Sequence, residues 1–321
     1  MQAIPVTILT GFLGSGKTTL LNNLIEKYPE KKFAIIENEF GDINIDNDLV
    51  VGADESIFEM SNGCICCTLN DELIVVLRGL LHSGKEFNHL IIETTGMAEP
   101  GGVAETFVSD PGIQAVFRLD ATICLVDAAH LLPVLEEREE AKKQITFSDY
   151  LLLNKSEDTD KDTLNAVKNK VREMNPFAEI ELTNFAKSEA DLLNLNAYEA
   201  KNTEENIDAA AVHTHTHHHD HDHANDVNSH SFTFDEPFDF MKFMHWTNVL
   251  LKVQGKNLYR VKGIMNFRGE QEKMIFQSVQ TTPAFSRGEK WQAGEKRETR
   301  LVFIGKGLKR KPFERALRNC M

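Results

Sequence analysis

Residues 11–18 read GFLGSGKT, a pattern whose residue types and spacing already specify a chemistry. Glycines at Gly11, Gly14 and Gly16 let the backbone curl so that successive N–H groups point inward. Lys17 adds a point charge, and the start of the following helix adds its dipole. The result is a cradle for a polyphosphate, with Gly11, Gly14, Ser15, Gly16, Lys17, Thr18 and Thr19 as its nucleotide-binding residues and the Thr18 hydroxyl as a direct ligand of Mg2+.

A second set of side chains suits soft metals. Cys64, Cys66 and Cys67 fall within the run NGCICC. A lone cysteine is usually a small core hydrophobe, the expectation for Cys124 and Cys320, but three so close together in a reducing compartment bind metal or do redox chemistry. The tight C-x-C-C grouping fits thiolate coordination of Zn2+, Cu(I) or a neighbouring divalent ion better than it fits the C-x-x-C redox pattern. Three thiolates leave a fourth position for a carboxylate, His or water, with Glu37 and Glu39 as the candidate carboxylates. Further on, His213, His215, His217, His218, His219, His221 and His223 are interleaved with Thr and Asp, unlike a purification tag. Such a tract is a labile collector of Zn2+, Ni2+ or Cu2+.

Three loops complete the nucleotide chemistry. The run Glu37-Asn38-Glu39-Phe40-Gly41-Asp42 follows the first crossover, where nucleotide switches sense the γ-phosphate. Glu93-Thr94-Thr95-Gly96 follows an apolar strand; Glu93 is placed to support Mg2+ through water, and the Gly96 N–H to meet the γ-phosphate. Lys17, Thr18 and Glu93 are therefore the catalytic set. Asn154-Lys155-Ser156-Glu157 is one residue from the N-K-x-D pattern in which the acid accepts hydrogen bonds from guanine N1 and N2. Asn154, Lys155 and Glu157 are assigned to the base, and GTP is favoured over ATP because adenine offers that acid no matching donors.

The scaffold follows from apolar periodicity. Short continuous apolar runs at 6–9, 33–36, 90–92, 123–126 and 150–153, with helical patterns between several of them, predict buried parallel strands. The fold class is α/β, a doubly wound, mostly parallel sheet in a P-loop GTPase domain over residues 1–196. Loops beginning at Thr10, Glu37, Glu93, Asp127 and Asn154 are expected to converge on one crevice. Residues 197–230, acidic and His-rich, are expected to be a flexible linker. Residues 231–321 are expected to form a smaller α+β domain, with strands over 231–234, 259–267, 274–279 and 300–304, helices over 238–251 and 312–320, and Trp246, Phe267, Phe276, Phe285 and Trp291 in its core.

Composition sets limits on partners. The 321 residues carry a formal charge of −14, and 41% are apolar. A protein so acidic is no general binder of nucleic acid or anionic membrane. No apolar run approaches the ~20 residues needed to span a bilayer. The first residues run straight into a strand, which leaves no room for a cleavable leader, so a cytoplasmic protein with reduced thiols is expected.

The combination GFLGSGKTT, ENEFG, NGCICC, IETTGMAEP, LVDAAH and the NK-type base motif resembles the CobW/YjiA-like metallochaperone GTPases, relatives of the nickel-insertion GTPases of urease and hydrogenase. The resemblance covers nearly the whole chain. It implies hydrolysis of GTP to GDP and phosphate, an internal metal site at Cys64, Cys66 and Cys67, and a smaller C-terminal, partner-facing domain. The cargo is then Zn2+ first, with Co2+, Ni2+ or Cu as alternatives, and the partner is a client metalloprotein. Glu157 departs from the family's Asp, which bears on guanine selectivity. A nucleotide-regulated zinc buffer or sensor and a small-molecule P-loop kinase with structural zinc are the alternatives, and a nucleotide- or metal-dependent homo-oligomer is left open.

Overall fold

The computed structural model describes residues 3–37, 57–61, 69–214 and 227–321. The chain divides into two compact units, Met1–Lys170 with Ala178–Asn196, and Val171–Phe177 with Ala197–Met321.

The first unit opens with β1 (Ile4–Gly11), α1 (Lys17–Lys27), β2 (Phe33–Glu37), β3 (Ile57–Ser61), α2 (Leu69–His82) and β4 (His89–Glu93). It continues through α3 (Pro100–Ser109), α4 (Pro111–Gln114), β5 (Phe117–Asp127), α5 (Leu131–Glu137), α6 (Glu139–Phe147) and β6 (Tyr150–Asn154). Then α7 (Lys161–Met174), which runs on into the second unit, leads to β7 (Glu179–Leu182). The seven strands form one sheet in the order β3-β2-β4-β1-β5-β6-β7. Every neighbouring pair is parallel. Helices cover a parallel sheet, which is why its inner strands are continuous apolar runs rather than alternating ones. Leu20, Leu21 and Leu24 of α1 supply one such cover against Leu9, Phe33, Ile35, Ile91 and Ile123.

All five expected strands are present. Two more, β3 and β7, lie at the edges of the sheet. β7 is EIEL, half exposed along its length, so it lacks the apolar run that marks the inner strands. Because all strands run the same way, their carboxyl ends share one edge. Leu9 pairs with Glu93, Glu93 with Glu37 and Glu37 with Ser61, while Asp127 pairs with Asn154. β1 sits between β4 and β5, so the phosphate loop that leaves it opens where strand order reverses, the usual place for a ligand in such sheets.

The second unit contains α8 (Ala200–Thr214), β8 (Val227–Phe234), α9 (Phe240–Gln254), β9 (Leu258–Met265), β10 (Glu272–Val279), β11 (Thr282–Lys290), β12 (Thr299–Lys306) and α10 (Arg310–Arg318). Its strands form an antiparallel sheet in the order β11-β10-β9-β12-β8. Side chains of a strand alternate between faces. Leu301 and Phe303 of β12 accordingly join an aromatic cluster with Phe243 and Leu251 of α9 and Phe313 and Leu317 of α10. Val302 and Ile304 instead join Ile207 of α8, with Ile264, Ile275 and Trp291. The expected core aromatics are all in these clusters, Trp246 and Phe285 as partly buried members.

The expected boundaries need correcting: residues 171–177 group with the second unit rather than with 1–196, and 197–230 is not all linker, since β8 begins at Val227. The first part of the stretch read as linker is helical, and α8 packs on the second sheet through Thr203 and Ile207, both fully buried. Among its described residues only these two are buried, too few to stand out in a polar, acidic sequence, and Glu204 between them adds an ion pair to Lys273 of β10 at 3.1 Å. The side chain of His213 and the whole of His215, His217, His218, His219, His221 and His223 lie outside the described residues.

Candidate functional site

The phosphate loop takes the curled form its sequence calls for. Gly11, Gly14 and Gly16 have φ of 140°, 73° and 107°. At Gly16 the left-handed backbone caps α1, and a Cβ there would stand 2.7 Å from the Asn154 amide nitrogen, so only glycine fits. Lys17 Nζ lies over the loop and donates to the Gly11 carbonyl at 2.9 Å and to the Phe12 carbonyl at 3.5 Å. The Ser15 hydroxyl is buried and makes no hydrogen bond among the described residues, an orphan that a phosphate oxygen would satisfy. Thr18 and Thr19 lie in the first turn of α1, with Thr19 exposed.

Beside the loop, β4 delivers Glu93. The Thr18 hydroxyl donates to Glu93 Oε1 at 3.4 Å. Two hard oxygens from neighbouring elements fit Mg2+, which prefers carboxylate, hydroxyl and water to softer donors. The next residues are anchored to β1. Thr94 N donates to the Leu9 carbonyl at 2.9 Å, and its hydroxyl reaches Thr10 Oγ1 at 3.0 Å. Gly96 is pressed against the phosphate loop; a Cβ on it would lie 2.6 Å from Leu13 Cγ and 2.7 Å from Leu13 N. Any side chain there would push the two loops apart.

On the other side, Asn154 is a buried bridge. Its amide donates to the Ser15 carbonyl at 2.9 Å, and its Oδ1 accepts from Ala186 N at 3.0 Å. Lys155 has a left-handed backbone, φ 59°, and its ammonium spans the Gly14 carbonyl at 3.0 Å and Asp127 Oδ2 at 2.7 Å. Burial pulls the Asp127 carboxyl upward, but hydrogen bonds from Lys155 and His130 outweigh it and hold the group below its ordinary value. Glu157 is held by its backbone, N to Asn184 Oδ1 at 3.0 Å, and its side chain is exposed. A pocket of about 240 Å³ adjoins this side of the phosphate loop, between the end of β5 and helices α5 and α6.

The structure thus brings Gly11, Gly14, Ser15, Gly16, Lys17, Thr18, Glu93, Gly96, Asn154 and Lys155 to one edge of the sheet. Two contributors carry no signal in the sequence. Ala186 and its neighbour Phe185, both with left-handed φ near 50°, close the loop after β7 onto Asn154; no residue type there advertises such a turn. Asp127, expected only as a loop start, is the carboxylate that fixes Lys155.

Of the cargo-metal residues, Glu37 is described and buried at the end of β2, level with Glu93. Cys64, Cys66, Cys67 and Glu39 lie outside the described residues. Among the described residues no group of three His, Cys, Asp or Glu side chains is placed to hold a metal. Cys124 is buried in β5 with its thiol pushed up to about 12 by burial, and Cys320, also buried, to about 11. Both are inert core groups. Among the described residues no helix is long and apolar enough to cross a membrane.

Residues 5–181 match the family of CobW/HypB/UreG nucleotide-binding domains, and residues 227–321 the cobalamin synthesis protein cobW C-terminal domain. The zinc chaperone YjiA of Escherichia coli is 32% identical over 310 residues, covering 95% of each chain. A zinc-regulated GTPase metalloprotein activator 1 of Schizosaccharomyces pombe is 30% identical, covering 87% of this chain and 76% of its own. Among solved structures, Zn(II)-bound YjiA GTPase from E. coli superposes with a TM-score of 0.74 at 26% identity over 100% of both chains.

Proposed function

The chain belongs to the CobW/HypB/UreG family, and from that premise we propose that it is a GTP-hydrolysing metallochaperone which carries Zn2+ on Cys64, Cys66 and Cys67 and delivers it to a client metalloprotein. Its relatives are named zinc chaperone and zinc-regulated GTPase metalloprotein activator, which supports both the nucleotide and the metal. Lys17 and the inward N–H groups of residues 11–18 hold the β- and γ-phosphates. Asn154, Lys155 and Glu157 serve the guanine. Mg2+, held by the Thr18 hydroxyl and, through water, by Glu93, would supply positive charge to the phosphates as charge shifts during cleavage. The Gly96 N–H, on a loop packed against residue 13, follows the γ-phosphate.

The observation that carries the link between nucleotide and metal is the register row Leu9, Glu93, Glu37, Ser61. Neighbouring strands are about 4.8 Å apart, so the backbone at Ser61 lies only about 10 Å from that at Glu93. Cys64 follows Ser61 by three residues. Glu37 stands between the two, level with both. A loop that shifts with the γ-phosphate therefore lies within reach of Glu37 and of the strand end that the cysteine run follows in sequence, and on this reading the free energies of GTP and metal binding become linked. Residues 213–223 act as a weaker collector that feeds the thiolate site.

The experiment is metal titration of protein prepared without affinity metal. Cys66→Ala should lose one tight Zn2+ equivalent. Deletion of residues 213–223 should lose several weak equivalents and spare the tight one. Loss of the tight site on deletion of the histidines, or its survival in Cys66→Ala, would overturn the assignment.

A further inference from the structure

The loop that carries Gly96 is held from two sides. The phosphate loop holds one, through the contact with Leu13. The other is held by α6, a helix with no assigned part in catalysis. The Gln144 side chain, 1% exposed, uses both hydrogens of its amide on this loop, one to the Gly96 carbonyl and one to the Ala98 carbonyl, each at 3.1 Å. Next to it on α6, Lys143 pairs with Glu99 at the end of the same loop. The loop's own turn is closed by Ala98 N on the Thr95 carbonyl at 3.1 Å.

We infer that Gln144 is a positioning residue for GTP hydrolysis: by fixing two carbonyls of the 94–99 loop it sets where the Gly96 N–H stands relative to the γ-phosphate. This rests on the assignment of Gly96 to the γ-phosphate. The Gly96 N–H shares a rigid peptide plane with the Thr95 carbonyl, which accepts from Ala98 N, so holding the Gly96 and Ala98 carbonyls around that turn restricts the rotations about Gly96 by which the N–H could swing away from the phosphate loop. A buried glutamine that spends both donors on backbone carbonyls is also costly to replace, because the carbonyls would lose their partners. The helix that carries Gln144 borders the pocket beside the phosphate loop, where Ala141, Gln144 and Ile145 face Phe12, Leu13 and Gly14.

The role has a kinetic signature that a packing role lacks. GDP makes no contact with a γ-phosphate sensor, so GDP affinity should be the same in wild type and variant. The turnover of GTP should not. Gln144→Leu, which keeps bulk and removes both donors, should lower kcat about tenfold, equivalent to about 1.4 kcal/mol in the barrier, with KM for GTP changed less than threefold. Gln144→Glu keeps the shape but sets a carboxyl against two carbonyls, and its kcat should fall at least as far. If either variant fails to fold, Lys143→Met, which removes the ion pair with Glu99, should still show a two- to threefold loss of kcat at unchanged GDP affinity.

Steady-state hydrolysis and GDP titration on these variants, with Gly96→Ala beside them, decide the matter. A slowed Gly96→Ala together with unimpaired kcat in the Gln144 and Lys143 variants would overturn this inference and leave the sensor assignment standing. A Gly96→Ala that turns over GTP as wild type does would remove both. Loss of GDP and GTP affinity in step with kcat in the Gln144 variants would reduce Gln144 to a packing residue and overturn the inference as well.

Discussion

Strand β4 is five residues long, and its two ends have opposite fates. At the amino end, His89 is fully buried, its ring edge-on to Phe33 at 6.0 Å, its Nε2 bonded to Thr7 Oγ1 at 2.9 Å, and its Nδ1 without a hydrogen-bond partner among the described residues. Desolvation, aided by Lys31 and Arg118, pushes its pKa down to about 3, so it is neutral in the fold. At the carboxyl end, Glu93 faces the Thr18 hydroxyl beside the phosphate loop. The difference teaches how to separate stability from chemistry in this sheet. A titratable group closed in by apolar side chains resists charge and serves packing, whereas one at the edge where the loops gather is kept for a charged ligand.

Perturbations can therefore be sorted by which end of the sheet they strike. The largest separation is expected from Lys17→Ala. It should lower kcat/KM for GTP by a factor on the order of 10²–10³ while the urea unfolding midpoint shifts by less than about 1 kcal/mol in stability, as phosphate release and denaturation on one preparation would show. An equal loss of stability would blur the contrast.

Asn154→Ala sharpens it, because that residue belongs to both categories. It ties the phosphate loop to the loop after β7, so its removal strands the Ser15 carbonyl and the Ala186 N–H. A loss of about 2 kcal/mol of stability and at least tenfold weaker binding of GTP, followed by calorimetry, is the expected pair of effects.

The amino end predicts a pH dependence. His89 has a folded pKa of about 3, below the ordinary 6.5, so the unfolded chain binds the extra proton first. Its contribution is intact above pH 6.5 and is lost as pH falls from there toward 3, at up to about 1.4 kcal/mol per pH unit. Denaturation midpoints taken between pH 7.5 and 5 should show a steeper fall in wild type than in His89→Gln, with GTP turnover at pH 7.5 alike in both. Parallel curves would mean that other groups dominate acid unfolding.

Smallest is the effect at the exposed Glu157. Glu157→Asp restores the family's acid and should raise the preference for GTP over ATP several-fold in competition binding, without altering stability. An unchanged preference would take the side chain out of guanine recognition.

The inner strands and the phosphate loop were legible because a buried parallel strand must be a continuous apolar run and a phosphate cradle must be glycine-rich. Several elements at the edges or on the faces of the sheets were not. β7, with its alternating glutamates, and β11, TPAFSRGEK, bury too little to leave an apolar signature, and α8 buries only Thr203 and Ile207 on its described face. At the site, Lys17, Glu93, Gly96 and Asn154 could be named because their types and spacing are those expected of a phosphate loop, a strand-end carboxylate with its glycine, and a base motif. Gln144 and Ala186 could not, since each acts through a backbone group or side chain more than 30 residues away that only folding brings near.

Coupling between GTP and metal is tested most directly by Zn2+ affinity, measured in competition with a chelator, on nucleotide-free protein, the GDP complex and the complex with a non-hydrolysable GTP analogue. Binding should be 5- to 150-fold tighter with the analogue than with GDP, the range of a coupling of about 1 to 3 kcal/mol, and saturating Zn2+ should tighten the analogue by the same factor. A single Zn2+ affinity across all three states would contradict delivery driven by GTP and leave a metal buffer that happens to hydrolyse nucleotide.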